Sequence, residues 1–370
     1  GFTGGLVAEY LLAQYGTDQG LRWAIAGRDA AKLESLRTGL GEAAGKLECI
    51  VTDSFDDTGL ADMAARSKVI ISTVGPYARF GSLLVAACIA AGTHYCDLAG
   101  EAQWVRKMID THHQAAQQTG ARIVHCCGFD SVPMDLGVWF LQSQAQAIHG
   151  TYCDSITMLV KATKGGASGG TLASMLNLMK EARADRAVAE ILVDPYGMNP
   201  EGERSGPDGR DQQNVRFNKT ANTWTAPFVM AGINTKVVRR SHALQNYPYG
   251  ENFRYREAVM TGNGFGGWLQ AQMLTIGLGT FIFLASNDMT SGLLKRFVLT
   301  KPGDGPDRHA RDTGFFDLRQ FGVLSDGSVV RTRIAGDRDP GYGSTSKMLG
   351  ECAVCLAQDE LANDGGIWTP

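Results

Sequence analysis

Net charge is what this chain has least of. Across 370 residues, 35 Lys and Arg stand against 38 Asp and Glu, a formal balance of −3, so there is no basic field to hold a phosphate polymer. The densest cationic run, Lys236-Val237-Val238-Arg239-Arg240, is too short for that purpose, and no nucleic acid is expected as a partner. Metal-ligand spacing is also lacking. Cys352 and Cys355 make a C-x-x-C with no second pair at zinc spacing, and Cys126-Cys127 and His112-His113 are adjacent pairs of poor geometry. All eight cysteines are read as reduced thiols, most of them inside apolar runs, which suits an intracellular, reducing compartment better than a disulfide framework.

Charge is missing altogether from Ala258 to Asn287. A spanning helix needs about 20 predominantly apolar residues; the apolar centre here, Met273 to Ala285, is shorter, with Gln270 and Gln272 in front of it. A buried or interfacial helix is the first expectation. The alternative is docking on a membrane or lipid-droplet surface, with Lys295 and Arg296 meeting anionic headgroups.

What is present is ordinary globular composition, 44% hydrophobic and 20% charged, at a length that calls for two domains. Up to about residue 130, short β-rich apolar runs alternate with helical stretches, the pattern of a parallel sheet wound with helices. Strands are expected at 21–26, 47–51, 69–74, 94–98 and 121–125, and helices at 6–15, 29–40, 60–64, 83–91 and 102–119. The rhythm changes after Phe129-Asp130-Ser131-Val132-Pro133. A long strand, 155–162, leads through a glycine-rich turn into a helix, 171–191, and a polar loop runs from Asp194 to Asn222. Near the end, Ser325-Asp326-Gly327 marks a hairpin between 315–323 and 328–334, and a last helix is expected at 344–358. The domain assignment is 1–130, 131–343 and a C-terminal segment, 344–370, returning to the first domain.

The chain starts without an initiator methionine, on Gly1-Phe2-Thr3-Gly4-Gly5 running into a helix. In a dinucleotide fold, glycines between the first strand and first helix let the backbone approach a pyrophosphate, whose charge the helix N-terminus meets. Alone the spacing of Gly1 and Gly4 is weak evidence, because glycine at a helix start is common. The next strand end adds to it. Arg28 stands where an acidic residue would bind a ribose 2′-hydroxyl, and a guanidinium there grips a 2′-phosphate instead, which favours NADP. Asp29 serves better as a helix cap. Thr52-Asp53 is placed to touch adenine, and Thr73-Val74-Gly75-Pro76-Tyr77 to line the nicotinamide side. Hydride transfer that leaves a carbanion or an alkoxide needs a proton donor near the nicotinamide. By position the candidates are Asp130, Ser131 and Tyr77, with Tyr95 and Asp97 at another strand end; Asp130 and Ser131 serve equally well as a hinge. No tyrosine has lysine four residues on, which disfavours the short-chain dehydrogenases. The turn at 165–170 is either a plain connection or an anion site for a substrate carboxylate or pantetheine phosphate.

The stretches Gly1-Phe2-Thr3-Gly4, Ala26-Gly27-Arg28, Thr73 to Tyr77, His94 to Glu101, Cys127 to Asp135, Gly165 to Thr171 and Lys301 to Pro306 together resemble the saccharopine dehydrogenase-like oxidoreductases. That family includes a lipid-droplet-associated protein and the bacterial trans-acting enoyl reductases. The resemblance spans essentially the whole chain. It implies an NADP(H)-binding Rossmann domain, a second α+β domain carrying the substrate face and open to homodimer formation, and reduction of a lipid-linked or acyl, enoyl-type substrate in lipid or glycolipid metabolism. Two alternatives stay open: a catalytically silent lipid-surface protein that keeps the scaffold, and a saccharopine-type amino-acid dehydrogenase. The family pattern also places a strand ending in Gly-x-x before Gly1 and further chain after Pro370. A chain with these ends alone is expected to lack the sheet's central strand and to bind NADPH weakly.

Overall fold

A computed structural model describes residues 1–17, 20–165, 169–285 and 305–370. Residues 166–168 of the turn at 165–170, together with Lys295, Arg296 and Lys301 to Asp304, lie outside the described residues. The first third of the chain alternates as its apolar pattern demands. Helices α1 (Phe2–Tyr15), α2 (Ala30–Gly39), α3 (Asp57–Ala65), α4 (Tyr77–Phe80), α5 (Ser82–Ala91) and α6 (Ala102–Thr119) interleave with strands β1 (Ala24–Gly27), β2 (Glu48–Val51), β3 (Val69–Ser72), β4 (His94–Asp97) and β5 (Arg122–Val124). Local chemistry sets several boundaries. Asp29 and Asp56 accept from backbone N–H groups of the first turns of α2 and α3, and left-handed Gly92 and Gly120 end α5 and α6.

All these strands are parallel and form two sheets, β1–β2 and β3–β4–β5–β12, where β12 (Gly366–Trp368) comes from the far end of the chain. Helix α1 bridges them: Val7 and Leu11 pack with Val69 and Ile71 of β3, while Ala8 packs with Ile25 of β1. Parallel strands bring their carboxyl ends to one edge, where ligands of such sheets gather.

The second unit consists of α7 (Val132–His149), β6 (Ser155–Lys164), α8 (Gly169–Ala184), α9 (Arg186–Val193), β7 (Arg216–Asn218), β8 (Thr223–Ala226), α10 (Ala231–Leu244), β9 (Arg254–Gly262), α11 (Gly264–Ala285), α12 (Arg308–Asp312), β10 (Phe315–Val323) and β11 (Val329–Gly336). Its mixed sheet runs β11–β10–β6–β9–β8–β7. Helices α7 and α10 cover one face, burying Met134, Val138, Leu141 and Val238 against Ile156, Met158, Tyr255 and Leu318. The single helix expected at 171–191 is two, because the Asp185 carboxylate accepts from Ala187 N and starts α9 afresh.

The basic run of α10 is interior, not a surface patch. Arg240 donates to the carbonyls of Met198 and Ile367, and Arg239 pairs with Asp208 at 2.9 Å. These bonds tie the polar loop and the C-terminus to α10. Burial lowers the Lys236 ammonium to about 8, and its Nζ donates to the Leu192 and Gly232 carbonyls. Finally, α13 (Thr345–Gln358) lies against α1, β3 and β4, through Leu349, Ala353 and Val354.

Candidate functional site

Along the carboxyl edge of the parallel strands, each loop contributes a different group. Helix α1 begins at Phe2, so the N–H groups of its first turn are free of helical partners. Nothing lies within 4 Å of a Cβ built on Gly1, whereas one on Gly4 would sit 3.0 Å from Thr73 Oγ1. Glycine at position 4 is what lets the start of α1 approach the end of β3. The Phe2 ring packs edge-on to Tyr342 at 5.0 Å, with the Arg311 guanidinium 5.4 Å from its centroid, and Thr3 beside it is half-buried.

Just past β1, Arg28 is exposed and has no ion pair among the described residues. Asp53 is engaged locally, Oδ1 accepting from Phe55 N at 3.0 Å, while the neighbouring Thr52 Oγ1 is buried without a partner. Thr73 is half-buried, and Gly75 precedes Pro76 through a cis peptide. These residues fit an NADP(H): a free helix N-terminus for the pyrophosphate, a glycine cradle beside it and an unpaired guanidinium for a 2′-phosphate.

Tyr77 is not placed to donate a proton to substrate. Its hydroxyl is buried, donating to Ser72 O at 3.0 Å and accepting from Leu98 N at 3.2 Å, and burial raises its pKa well above the ordinary phenol value. It anchors the loop. The same loop is gripped by Glu101, a buried carboxylate that accepts from Tyr77 N at 2.8 Å, Ala78 N at 2.9 Å and Ser174 Oγ at 2.8 Å. One side chain thus joins the start of α4, the start of α6 and α8 of the second unit, with α4's N-terminal dipole offsetting its charge.

Asp97 and Tyr95 also face inward. Asp97 accepts from His125 Nδ1 at 2.7 Å, Ala99 N at 2.9 Å and Cys126 N at 3.2 Å, and is fully buried. This fixes the loop after β5, where Cys126 adopts φ 66°. Tyr95 has no exposure and lies 6.0 Å from the His125 ring. Neither reaches a substrate.

Asp130 and Ser131 divide. The Asp130 side chain has no hydrogen bond or ion pair among the described residues, the residue is partly exposed, and desolvation pushes its carboxyl up to about 6. Ser131 is fully buried at φ 126°, and its Oγ donates to Asn234 Oδ1 at 3.1 Å. The chain continues from Asn234 Nδ2 to Glu257 Oε2 at 3.1 Å, and Tyr255 OH donates to Glu257 Oε1 at 2.9 Å. Burial holds Glu257 well above the usual carboxylate range. Ser131 is therefore the pivot of a buried network, while Asp130 beside it stays partly exposed and unpartnered among the described residues.

Residues 1–124 match the model of the saccharopine dehydrogenase NADP-binding domain. A Mycobacterium tuberculosis protein provisionally named a trans-acting enoyl reductase is 41% identical over 385 residues, covering 100% of this chain and 90% of its own length. The Mycobacterium bovis protein named trans-acting enoyl reductase is 37% identical over 390 residues, with the same coverage. The chain belongs to the saccharopine dehydrogenase-like oxidoreductase family. Apo saccharopine dehydrogenase (L-Glu forming) from Saccharomyces cerevisiae superposes with a TM-score of 0.53 at 14% identity, over 99% of this chain and 92% of that one, which establishes the shared fold.

As a member of that family the protein is an NADP(H)-binding oxidoreductase. Its sequence did not single out His125, Asn234 or Glu257. The signal for His125 was available: it directly follows β5 and Asp97 ends β4, neighbouring parallel strands whose register is 95 with 123 and 96 with 124. An open cavity of about 400 Å³ lies on the flank between α6 and the α8–α9 pair, lined by Trp104, Arg106, Glu181 and Val188 among others. None of the residues assigned to cofactor or catalysis lines it.

Proposed function

We propose that this protein uses NADPH to reduce the activated double bond of a lipid-linked or acyl, enoyl-type substrate. When bound, the nicotinamide supplies a hydride. The chain's own part is to hold the cofactor through the start of α1 and Arg28, to fix the loop after β3 through Glu101, and to deliver a proton to the carbon next to the carbonyl. Asp130 is the group for that last task, and the observation carrying the reading is its state: partly exposed, unpartnered among the described residues, with a carboxyl pushed up to about 6. A fraction is protonated near neutrality, and its proton is not tied up in an internal bond. The names of the relatives at 37% and 41% identity support the enoyl class.

A silent scaffold is the second reading, favoured by one observation: of the three groups expected to act, Tyr77 and Ser131 are turned inward. NADPH consumption measured with a panel of α,β-unsaturated acyl thioesters separates the two. Turnover that Asp130→Asn lowers about 10²- to 10⁴-fold while NADPH still binds is expected. NADPH binding with no turnover on any member of the panel would overturn the reductase reading in favour of the silent one.

A further inference from the structure

Helix α11 is the one long apolar helix whose sides the fold leaves uncovered among the described residues. Over 22 residues, Gly264–Ala285, it carries no charge, and only 11% of its most apolar window is buried. Its first turns are held firmly: it packs on β8 and β9, Ala271 is fully buried, and a Cβ on Gly267 would collide with the carbonyl of Gly262. The body projects from that anchor. Phe265 is 75% exposed, Ile276 65% and Phe283 70%.

The distribution of these side chains around the axis identifies what surrounds them. At about 100° per residue, Phe265, Ile276 and Phe283 fall on one side, while exposed Leu274 lies opposite and Ile282 roughly at right angles. A protein partner covers a stripe, like the exposed stripe of Leu136, Trp139 and Phe140 at i, i+3 and i+4 on α7. A helix apolar all round calls for apolar surroundings on every side, met by a protein core or by hydrocarbon, and the described residues build no core around α11. The 14 residues beyond the anchored Ala271 reach about 21 Å at 1.5 Å per residue, long enough to enter the ~30 Å hydrocarbon layer of a bilayer without crossing it.

We propose that α11 inserts into a phospholipid bilayer and holds the protein on the membrane, with the parallel-sheet edge outside it. This stands independently of the reaction assigned to Asp130. Because α11 has no charged residue, insertion is driven by apolar transfer and not by headgroup charge. The test is flotation of the full chain with neutral phosphatidylcholine vesicles at low and at high salt, beside the variant Ile276→Asp/Phe283→Asp. Both positions are exposed, so the charges leave the fold intact, and NADPH titration of each protein verifies this. The expected result is co-flotation to the same extent at both salt concentrations and at least a tenfold lower bound fraction for the variant, with NADPH affinity unchanged. Three results would overturn the proposal: wild-type protein remaining outside the vesicle fraction, flotation unaffected by the two aspartates, or a soluble dimer that the variant converts to monomer, in which case a second copy covers α11.

Discussion

Replacing Glu101 tests how the site is held together. Its two oxygens take the backbone N–H groups of Tyr77 and Ala78 at 2.8 and 2.9 Å, and Ser174 Oγ shares the first at 2.8 Å. Glu101→Ala leaves both buried N–H groups and the serine hydroxyl without an acceptor. An orphaned buried donor costs about 1–3 kcal/mol, so the two backbone groups alone put the loss at roughly 2–6 kcal/mol. Glu101→Gln is the sharper probe. It keeps the shape but offers one acceptor oxygen, and its amide N–H₂ must face a backbone donor, so we expect a loss of about 1–3 kcal/mol from that one orphaned group. A surface carboxylate would give nothing measurable from either change. The assay is equilibrium urea unfolding of wild type and both variants, paired with NADPH titration. Because Glu101 grips the loop running from Thr73 to Tyr77, NADPH affinity should fall with stability, and further for Ala than for Gln. Unfolding midpoints and NADPH affinity both unchanged in Glu101→Ala would refute the assignment of Glu101 as the clamp between the two units.

Three further outcomes follow from the same geometry. Arg28→Ala should weaken NADPH binding roughly 10- to 100-fold, the worth of a charged hydrogen bond, and leave NADH binding unchanged in parallel fluorescence titrations; equal losses for both cofactors would remove Arg28 from the 2′-phosphate. With the Asp130 carboxyl at about 6, a general acid active in its protonated form loses turnover as pH rises above 6, and Asp130→Asn should flatten that limb and lower turnover about 10²- to 10⁴-fold, read from pH-rate profiles. The buried Asp135 carboxyl, which accepts from Ser241 Oγ at 2.7 Å, is raised by burial to about 7. Its folded value lies above the unfolded value of about 3.9, so its favourable contribution is complete below pH 4 and is lost as pH rises through 7. Asp135→Asn should therefore gain stability relative to wild type above pH 7, by up to about 4 kcal/mol at 1.36 kcal/mol per pH unit, and show no advantage at pH 4; an advantage independent of pH would contradict the assignment.

The parallel-sheet half was legible because its signals are local. The continuous apolar run Val69 to Val74 and the caps at Asp29, Gly92 and Gly120 each depend on a few neighbouring residues. Features set by distant contacts were not. Strand β12 exists because Gly366–Trp368 finds β5 across some 240 residues. In α10, the run Lys236 to Arg240 stood out in the sequence only as a short cationic cluster, and it is interior because the carbonyls of Leu192, Met198 and Ile367 accept from it. The site divides the same way. Sequence position put Gly4 at the start of α1, where a Cβ would sit 3.0 Å from Thr73 Oγ1, and Arg28 just past β1. Side-chain direction is a tertiary property, so Tyr77, Ser131, Asp97 and Tyr95 looked available for chemistry and instead hold the loops. The uncharged segment was expected to be buried or interfacial, with lipid docking as the alternative; burial is the part that fails, because among the described residues only the first turns of α11 pack, on β8 and β9.

The measurement closest to the central claim is deuterium transfer. The full chain is incubated with an α,β-unsaturated acyl thioester and NADPH carrying deuterium on the transferring face, and the product is read by mass spectrometry. The account predicts one deuterium on the carbon remote from the carbonyl and a solvent proton on the carbon next to it, with product formed at least about a hundredfold more slowly when Asp130→Asn replaces the wild-type chain. Saturated product without deuterium, or undiminished product from Asp130→Asn, would contradict it.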